Sequence, residues 1–559
     1  MNQIFRHKRW LLLLLPLIVL VNFSFYSRPA DDDYFEITKN LDIFGKMYRE
    51  VHSFYVDDIE PTEFMRTGIN AMLKSLDPYT NYISASEIED YRFMSTGQYG
   101  GIGAVIGKVN DRVVITEPYA GYPAVKAGLI AGDEIIQIDA EKISKENVKT
   151  LNVRNLLRGQ PKTKVTLKIR RDGSPEPFDV EVERADIKIP NVPYQGMIDD
   201  KVGYISLTGF TSGASKEVKA AIENLKKDNP GLKGIVLDLR GNPGGLLYEA
   251  IDISNLFVPQ GEKIVETRGK SEGTLKTYSA RNNPVDQNIP LAVLINRRSA
   301  SASEIVSGVM QDLDRGVIVG QRSFGKGLVQ TTRPLSFNSQ IKVTTAKYYT
   351  PSGRCIQAID YSHRNEDGSV GKIADSLQKS FSTAAGRTVK DGGGIQPDIE
   401  VEIPDYHTVT QELMRQSLVF DFATRYRVKH ESIASSRDFK VTDAVYNEFV
   451  AFCKEKDFKF ETKTEKEFAR LKELMEEEKY ADALGAELAA IETKISAEKA
   501  ADLMDFKDEI SNFLQTEIVK RYYYRSGETE ASFDIDPDIL AARKVLENGE
   551  QYKKLLSGN

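Results

Sequence analysis

Short apolar segments alternate with helical segments over residues 185–403, and no other feature of the chain constrains its fold as strongly. The apolar segments are residues 202–207, 235–239, 291–295 and 317–319. Helical patterns lie between them at residues 216–227, 246–255 and 302–312. Strands that alternate with helices form crossover units, which place the strands in one sheet with helices packed against it. We therefore predict an α/β core.

The chain is longer than a single hydrophobic core supports, because its 559 residues predict about three or four folded units. Apolar residues recur at helical spacing before the core, and short β-type runs interrupted by helical stretches at 123–127 and 148–157 follow them. After the core the chain is helical and strongly charged, most clearly at 463–499 and 503–525. The prediction is a multi-domain α+β protein. Its parts are a helical segment (34–95), a compact β-barrel-like domain (96–184), an α/β core (185–404) and a charged helical extension (405–559).

The net charge and the cysteine content of the chain limit which kinds of molecule it is expected to bind. The net charge of −7 argues against a general nucleic-acid binder and favours protein partners. Cys355 and Cys453 are the only cysteines, and they form neither a disulfide framework nor a metal-binding pair by spacing. Reduced thiols and a single disulfide between them both remain open.

The N-terminal residues 1–30 have the pattern of an export signal. Basic residues at positions 6–9 precede an apolar run over residues 10–21. A run of this length fits a secretory signal peptide, since a membrane-spanning helix usually needs about 20 apolar residues. No clear cleavage site follows, so an uncleaved anchor in the inner membrane fits as well. We expect an exported, periplasmic protein.

A serine-rich junction, residues 296–305 (NRRSASASEI), connects a predicted buried strand to a predicted helix. The helix N-terminus offers unpaired N–H groups, such as that of Ala302, to a developing oxyanion. Ser301 at this junction is therefore a candidate nucleophile. Serine is also a preferred N-cap residue, so a purely structural role of Ser301 is the alternative.

A nucleophilic serine needs a general base, and the sequence favours a lysine. The chain has five histidines and no G-x-S-x-G motif, which disfavours the usual Ser/His/Asp triad. Lys326 lies in the glycine-rich segment 320–330 with no acidic residue nearby in the sequence. A buried lysine can lose its proton and act as a base. In an extended segment Gln330 points to the same side and could orient the amine.

The same segment resembles a phosphate-binding loop, because residues 320–326 match GxxxxGK. Gly327 stands where that motif requires the Ser or Thr that binds magnesium. The motif is therefore incomplete. We expect no nucleotide, metal or other cofactor.

Two further glycine clusters follow strand patterns. Gly244 and Gly245, in the segment DLRGNPGG, could supply a second oxyanion N–H, whereas Asp238 and Arg240 fit a structural ion pair. In the small barrel, the segment at residues 101–103 has consecutive N–H groups that could hold a peptide carboxylate beside a strand edge. Those residues are Gly101, Ile102 and Gly103. A plain turn is the alternative reading of each cluster.

Together these motifs resemble the carboxyl-terminal processing (tail-specific) proteases, which are PDZ-containing members of the S41 family of serine peptidases. The resemblance spans residues 35–403. It rests on SLDPYT (75–80), GGIG (100–103), AGLIAGD (127–133), DLRGNPGG (238–245), SASASEI (299–305), GKGLVQ (325–330), YYTPSGR (348–354) and GIQPD (394–398).

The resemblance implies a catalytic nucleophile at Ser301, a general base at Lys326 and a supporting residue at Gln330. It places oxyanion donors at Ala302 and at Gly244 or Gly245, and implies a PDZ domain that recognises the C-termini of exported protein substrates. The extension over residues 405–559 could pack on the core, form a homodimer or bind an adaptor, and a solvated helical appendage without a partner is the alternative. A non-catalytic PDZ scaffold that only binds protein C-termini in the periplasm is the competing hypothesis.

Overall fold

The computed structural model describes residues 30–144, 152–270, 274–365 and 367–558. The predicted signal or anchor, residues 1–30, lies outside them except for Ala30. In the described part of the chain, no helix is both long and apolar enough to cross a membrane. The thiols of Cys355 and Cys453 are unpaired.

Of the described residues, 30–82 form one compact unit, and those from Ile83 onward form a second. The first unit contains helices α1 (Ala30–Phe54) and α2 (Pro61–Lys74). The Tyr48 hydroxyl donates to the Pro61 carbonyl (2.6 Å), and the Tyr48 ring stacks on Phe64 at 5.5 Å. These contacts fix the turn between the two helices. Strand β1 (Asn81–Ile83) follows them.

The second unit begins with helix α3 (Ile88–Thr96) and a small antiparallel barrel. The barrel strands are β2 (Gln98–Gly101), β3 (Ala104–Val109), β4 (Arg112–Pro118), β5 (Glu134–Ile138), β6 (Glu141–Lys142), β7 (Lys164–Arg170), β8 (Phe178–Glu183) and β9 (Ala185–Lys188). Its helices are α4 (Pro123–Lys126) and α5 (Val153–Leu157). Part of the predicted 148–157 helix lies outside the described residues. Strands β3 to β8 enclose a small apolar core, and β2 pairs with β9 where the chain leaves the barrel.

The core is a six-stranded sheet in the order β10-β11-β12-β15-β16-β23, parallel except for β10. Its strands are β10 (Tyr194–Met197), β11 (Val202–Ser206), β12 (Gly234–Asp238), β15 (Leu291–Ile295), β16 (Val317–Gly320) and β23 (Ile399–Glu400). Helices α6 (Ala214–Asp228), α7 (Leu247–Asn255) and α8 (Ala302–Asp312) cover one face. The strands are apolar on both sides because both faces are covered.

An antiparallel sheet adjoins this core. It contains β13 (Lys263–Gly269), β14 (Lys276–Ser279), β17 (Leu328–Pro334) and β18 (Gln340–Tyr349). Two hairpins complete the region: β19 (Ile359–Arg364) with β20 (Val370–Lys372), and β21 (Ser380–Ser382) with β22 (Thr388–Lys390). Strand β17 pairs with β18 along the whole length of β17, with a register shift between Val329 and Gln330.

The C-terminal region is helical, as predicted. Its helices are α9 (Thr408–Arg415), α10 (Leu418–Lys429), α11 (Asp443–Glu455), α12 (Lys463–Glu477), α13 (Ala481–Asp505), α14 (Lys507–Ser532), α15 (Pro537–Glu547) and α16 (Gly549–Leu556). Helices α9 to α11 and α14 share an apolar core of their own. By contrast, α15 and α16 cover the second face of the six-stranded sheet, where Ile539, Val545 and Tyr552 pack against its strands.

Two predicted helical stretches are interrupted in the structure. The stretch at 463–499 is divided between α12 and α13, and Lys479 between them has a positive φ of 63°. Helix α14 is kinked at Tyr524, whose backbone is not helical (φ 55°, ψ −154°). Helical periodicity continued across both positions, so the sequence pattern alone did not show that the chain turns there.

Candidate active site

Ser301 lies at the sharp junction between β15 and α8. Its φ of 57° and ψ of −112° are unusual for a residue with a side chain. Such backbone strain is concentrated at functional sites, where the surrounding structure holds it. Here the Ser301 N–H donates to the carboxylate of Glu304 (2.8 Å), which helps to fix the turn.

Glu304 is fully buried and connects the serine junction to the lysine loop. Its carboxylate accepts four hydrogen bonds, from Ser301 N–H (2.8 Å), Ser323 hydroxyl (2.6 Å), Gly325 N–H (2.7 Å) and Lys326 N–H (2.9 Å). Burial raises the pKa of Glu304, and these hydrogen bonds oppose the rise. The sequence analysis missed this residue, although Ser301-x-x-Glu304 is a capping-box pattern.

Tyr348 fixes the same two segments from the other side. Its hydroxyl lies 3.1 Å from the Ser301 carbonyl and 2.6 Å from the Lys326 carbonyl, and the residue is 1% exposed. The N–H of Gly327 donates to the Gln357 side chain (2.7 Å). The backbones of the candidate nucleophile and candidate base are therefore held by shared buried groups.

Gln330 lies on β17, directly after the register shift. Its side-chain amide donates to the Thr344 hydroxyl on β18 (3.2 Å). The shift interrupts the simple alternation from which the sequence analysis placed Gln330 on the side of Lys326. Both side chains nevertheless line one cleft.

The loop with Gly244 and Gly245 packs directly against the serine junction. Gly244 has a φ of +96°, and a Cβ there would lie 2.6 Å from the Ala300 carbonyl oxygen. Gly245 has a φ of +153°, and a Cβ there would lie 2.5 Å from the Phe210 carbonyl oxygen. Since neither distance leaves room for a side chain, the close approach requires glycine at both positions.

The backbone N–H groups near Ser301 differ in whether they already have a hydrogen-bond acceptor. The Gly244 N–H donates to the Asn242 side chain (2.9 Å). Among the described residues, no acceptor lies within hydrogen-bonding distance of the N–H of Gly245 or of Ala302. These two donors are therefore available to a ligand.

All six predicted residues around the nucleophile line one cleft of about 490 Å³. They are Ser301, Lys326, Gln330, Gly244, Gly245 and Ala302. Most of the other lining residues are apolar or small, and the described lining contains no Asp, Glu or His. Lys326 and Lys342 are its only charged side chains.

Asp238 and Arg240 form the predicted ion pair (2.8 Å) at the end of β12. Arg240 also pairs with Asp536 (2.8 Å) and Asp538 (2.9 Å), at the start of α15. The C-terminal region thus supports the strand end that leads into the glycine loop, which the sequence did not indicate.

The barrel contains a second groove, of about 610 Å³, between β3 and α5. Ile102 lines it, whereas Gly101 and Gly103 are not among its lining residues. Apolar side chains from β3, β4 and α5 form its floor, and Lys108, Arg154 and Arg158 supply positive charge. The groove suits an apolar chain end that carries a carboxylate.

Three family models match the chain. Residues 201–362 match peptidase family S41, and residues 114–171 match the PDZ domain. Residues 409–546 match the C-terminal helical domain of probable PDZ-proteases.

Curated relatives and a solved structure are also similar to the chain. A carboxy-terminal-processing protease of Bartonella bacilliformis is 41% identical over 57% of this chain and 73% of its own length. A probable CtpA-like serine protease of Staphylococcus aureus is 32% identical over 66% of each chain. The photosystem II D1 C-terminal processing protease is 27% identical over 64% of this chain and 92% of its own, with a TM-score of 0.35.

Proposed function

Because the chain belongs to peptidase family S41 and is a serine-type peptidase, we propose that it cleaves proteins with Ser301 as nucleophile and Lys326 as general base. The observation that carries the proposal is the shared attachment of these two residues. Their backbone N–H groups donate to the same buried carboxylate, and both side chains line one cleft. The part of the lining that the structure describes contains no His, Asp or Glu that could serve as the base instead.

The proposed reaction is acyl transfer. Neutral Lys326 takes the proton of the Ser301 hydroxyl while the oxygen attacks the peptide carbonyl, and the resulting ammonium then protonates the departing amine. Water, deprotonated by the same lysine, releases the acyl group and restores the serine. The reaction as written requires no metal or cofactor.

The oxyanion formed in this reaction needs preorganised donors. We assign them to the N–H groups of Gly245 and Ala302, because these have no acceptor among the described residues. The Gly244 N–H is already donated to Asn242. Gly244 contributes by its lack of a side chain, which lets the loop approach the nucleophile.

Gln330 is assigned a positioning role near Lys326. Its amide is oriented by Thr344, so its carbonyl oxygen can face the cleft and accept a hydrogen bond from the lysine. A variant that lacks this side chain should retain the chemistry with a lower rate and an altered pH profile.

Substrate selection is assigned to the barrel groove. A C-terminal peptide would add as a strand beside β3, with its apolar end between β3 and α5 and its carboxylate near the backbone of residues 101–103. The Bartonella relative is a carboxy-terminal-processing protease, and this similarity supports the proposal. Export to the periplasm through residues 1–30, an adaptor and a homodimer remain predictions.

The test is cleavage of an unstructured protein with an apolar C-terminus, with the products read by mass spectrometry. The full chain in mild detergent should cut it without any added cofactor, and Ser301→Ala and Lys326→Ala should not. Lys347→Ala, which changes an exposed lysine on β18, is the matched control and should cut as the parent does. Equal cleavage by all variants would refute the Ser/Lys assignment, and binding without cleavage by the parent would favour the PDZ scaffold.

A further inference from the structure

Lys342 is the second charged residue of the active-site cleft, and the proposed chemistry does not use it. It lies on β18, directly opposite Thr332 of β17, and its side chain is half-buried. The other cleft residues near it are neutral.

Within the described residues the amino group of Lys342 has no acidic partner. No carboxylate among them lies within 4.0 Å of it, and the described lining of the cleft includes no acidic side chain. Arg240 and Arg354 of the core differ from Lys342, since they pair with Asp238 at 2.8 Å and with Asp312 at 2.7 Å. Burial lowers the pKa of Lys342. A titratable residue that lies in a cleft and has a perturbed pKa is a candidate for a functional role.

Lys342 lies on the strand that also reaches the proposed site of cleavage. Tyr348, whose hydroxyl lies between the Ser301 and Lys326 carbonyls, is six residues further along β18. A strand rises about 3.3 Å per residue, so the backbone of Lys342 is about 20 Å from that of Tyr348. Gln330 bonds Thr344 between these two positions, so a polypeptide in the cleft would pass from Ser301 to Lys342 within a few residues.

We infer that Lys342 is a substrate-binding residue, which holds a carboxylate of the bound polypeptide a few residues from the bond that Ser301 attacks. The carboxylate is either an acidic side chain or the chain's own C-terminus, which have the same chemistry. This inference rests on the proposed function, because it takes Ser301 as the point of cleavage. It makes the cleft selective for charge in addition to any selection in the barrel groove.

The alternative to a binding role is structural: the aliphatic part of the Lys342 side chain would only cover apolar surface. Lys342→Met retains the stem and removes the charge, whereas Lys342→Arg retains the charge. Lys347→Met removes a charge from an exposed position on the same strand and serves as the control. None of these changes affects the proposed nucleophile, base or oxyanion donors.

The experiment measures kcat/KM of the full chain on quenched-fluorescence peptides that carry Glu or Gln at each position in turn. These peptides have amidated C-termini, so a terminal carboxylate cannot contribute. A second arm compares free and amidated C-termini at the same spacing from the cut. We expect an approximately tenfold preference for the carboxylate at one position a few residues from the cut, as a charge-assisted hydrogen bond provides. Lys342→Met should lose this preference, and Lys342→Arg and Lys347→Met should keep it.

Three outcomes would overturn the inference: no carboxylate preference in the parent, an unchanged preference in Lys342→Met, or an equal loss in Lys347→Met. The arm that shows the preference identifies the source of the carboxylate. If the parent cuts no peptide, the proposed function fails instead. Binding of the Glu and Gln peptides to Ser301→Ala, with and without Lys342→Met, then tests Lys342 independently of cleavage.

Discussion

The two strand-to-helix junctions that form the cleft are fastened in different ways. The serine junction after β15 is held by Glu304, three residues from Ser301 and buried among hydrogen-bond donors. The glycine junction after β12 is held by Arg240, whose partners Asp536 and Asp538 lie almost 300 residues later in the chain. Both junctions lie at the carboxyl ends of adjacent parallel strands.

This difference between the two junctions shows that a catalytic site has two separate structural requirements. The proposed nucleophile and base need precise mutual positions, and the buried carboxylate of Glu304 holds both backbones through short hydrogen bonds. The glycine loop needs a strand end that is held in place, and the ion pairs of Arg240 with Asp536 and Asp538 hold it. The loop also needs space beside the proposed nucleophile, and the absence of side chains at Gly244 and Gly245 provides that space. Damage to the serine junction should therefore affect rate, whereas damage to the ion-pair cluster should affect stability.

The largest effect is expected where the two junctions touch. Gly244→Ala places a Cβ 2.6 Å from the Ala300 carbonyl oxygen and 2.9 Å from Ala302 N, so the oxyanion donors must separate. We expect kcat to fall by about 10³-fold, as when an oxyanion donor is lost. Gly241→Ala is the control in the same loop, because Gly241 also has a positive φ but nothing within 4 Å of its Cβ position. Similar losses in steady-state kinetics for both variants would mean that backbone strain, and not the close approach, decides the effect.

A smaller loss of rate is expected for Glu304→Gln. Whichever way the amide is oriented, its NH₂ faces at least one backbone N–H, so one segment must shift. We expect kcat to fall by about 10²-fold. The control is Glu249→Gln, since Glu249 is also buried and accepts the N–H groups of Gly213 and Ser215 (2.7 Å each) away from the nucleophile. Both variants should lose thermal stability, but a comparable loss of kcat in Glu249→Gln would contradict the special role of Glu304.

Arg240→Met should reduce stability more than rate. It leaves Asp238, Asp536 and Asp538 without their shared cation, and an uncompensated buried charge costs about 3–5 kcal/mol. Chemical denaturation would measure the loss, with Arg297→Met as the exposed control. An unaltered free energy of unfolding would show that the cluster does not support the strand end.

The smallest effect concerns pH. Burial raises the pKa of Asp538 above its ordinary 3.8, although Arg240 opposes the rise. The folded state therefore holds a proton that the unfolded state releases, so this contribution is full below pH 3.8 and is lost as pH rises through the raised pKa. Asp538→Asn removes the contribution, so the unfolding free energy of the parent minus that of the variant should fall as pH rises above 3.8. A free-energy difference that does not change with pH would contradict this role of Asp538.

The sequence supported the fold class and the family, and both predictions are confirmed. It indicated the strands of the core because each is a short apolar run, and it indicated Ser301 and Lys326 because each lies in a distinctive local motif. The domain boundaries and the roles of the site residues stay predictions. The breaks near Lys479 and Tyr524 were missed because helical periodicity continues across them.

What the sequence determined by itself was local: which segments are strands or helices, and which small residues and lysines stand at their ends. Only the tertiary structure decided which distant groups meet. It brought Asp536 and Asp538 to Arg240, brought the Lys326 N–H to Glu304 and left Lys342 without an acid in the described lining of the cleft. The physical reason is that hydrogen bonds and ion pairs act over a few ångströms in space. The number of residues between two partners in the sequence does not show how far apart they lie in the folded protein.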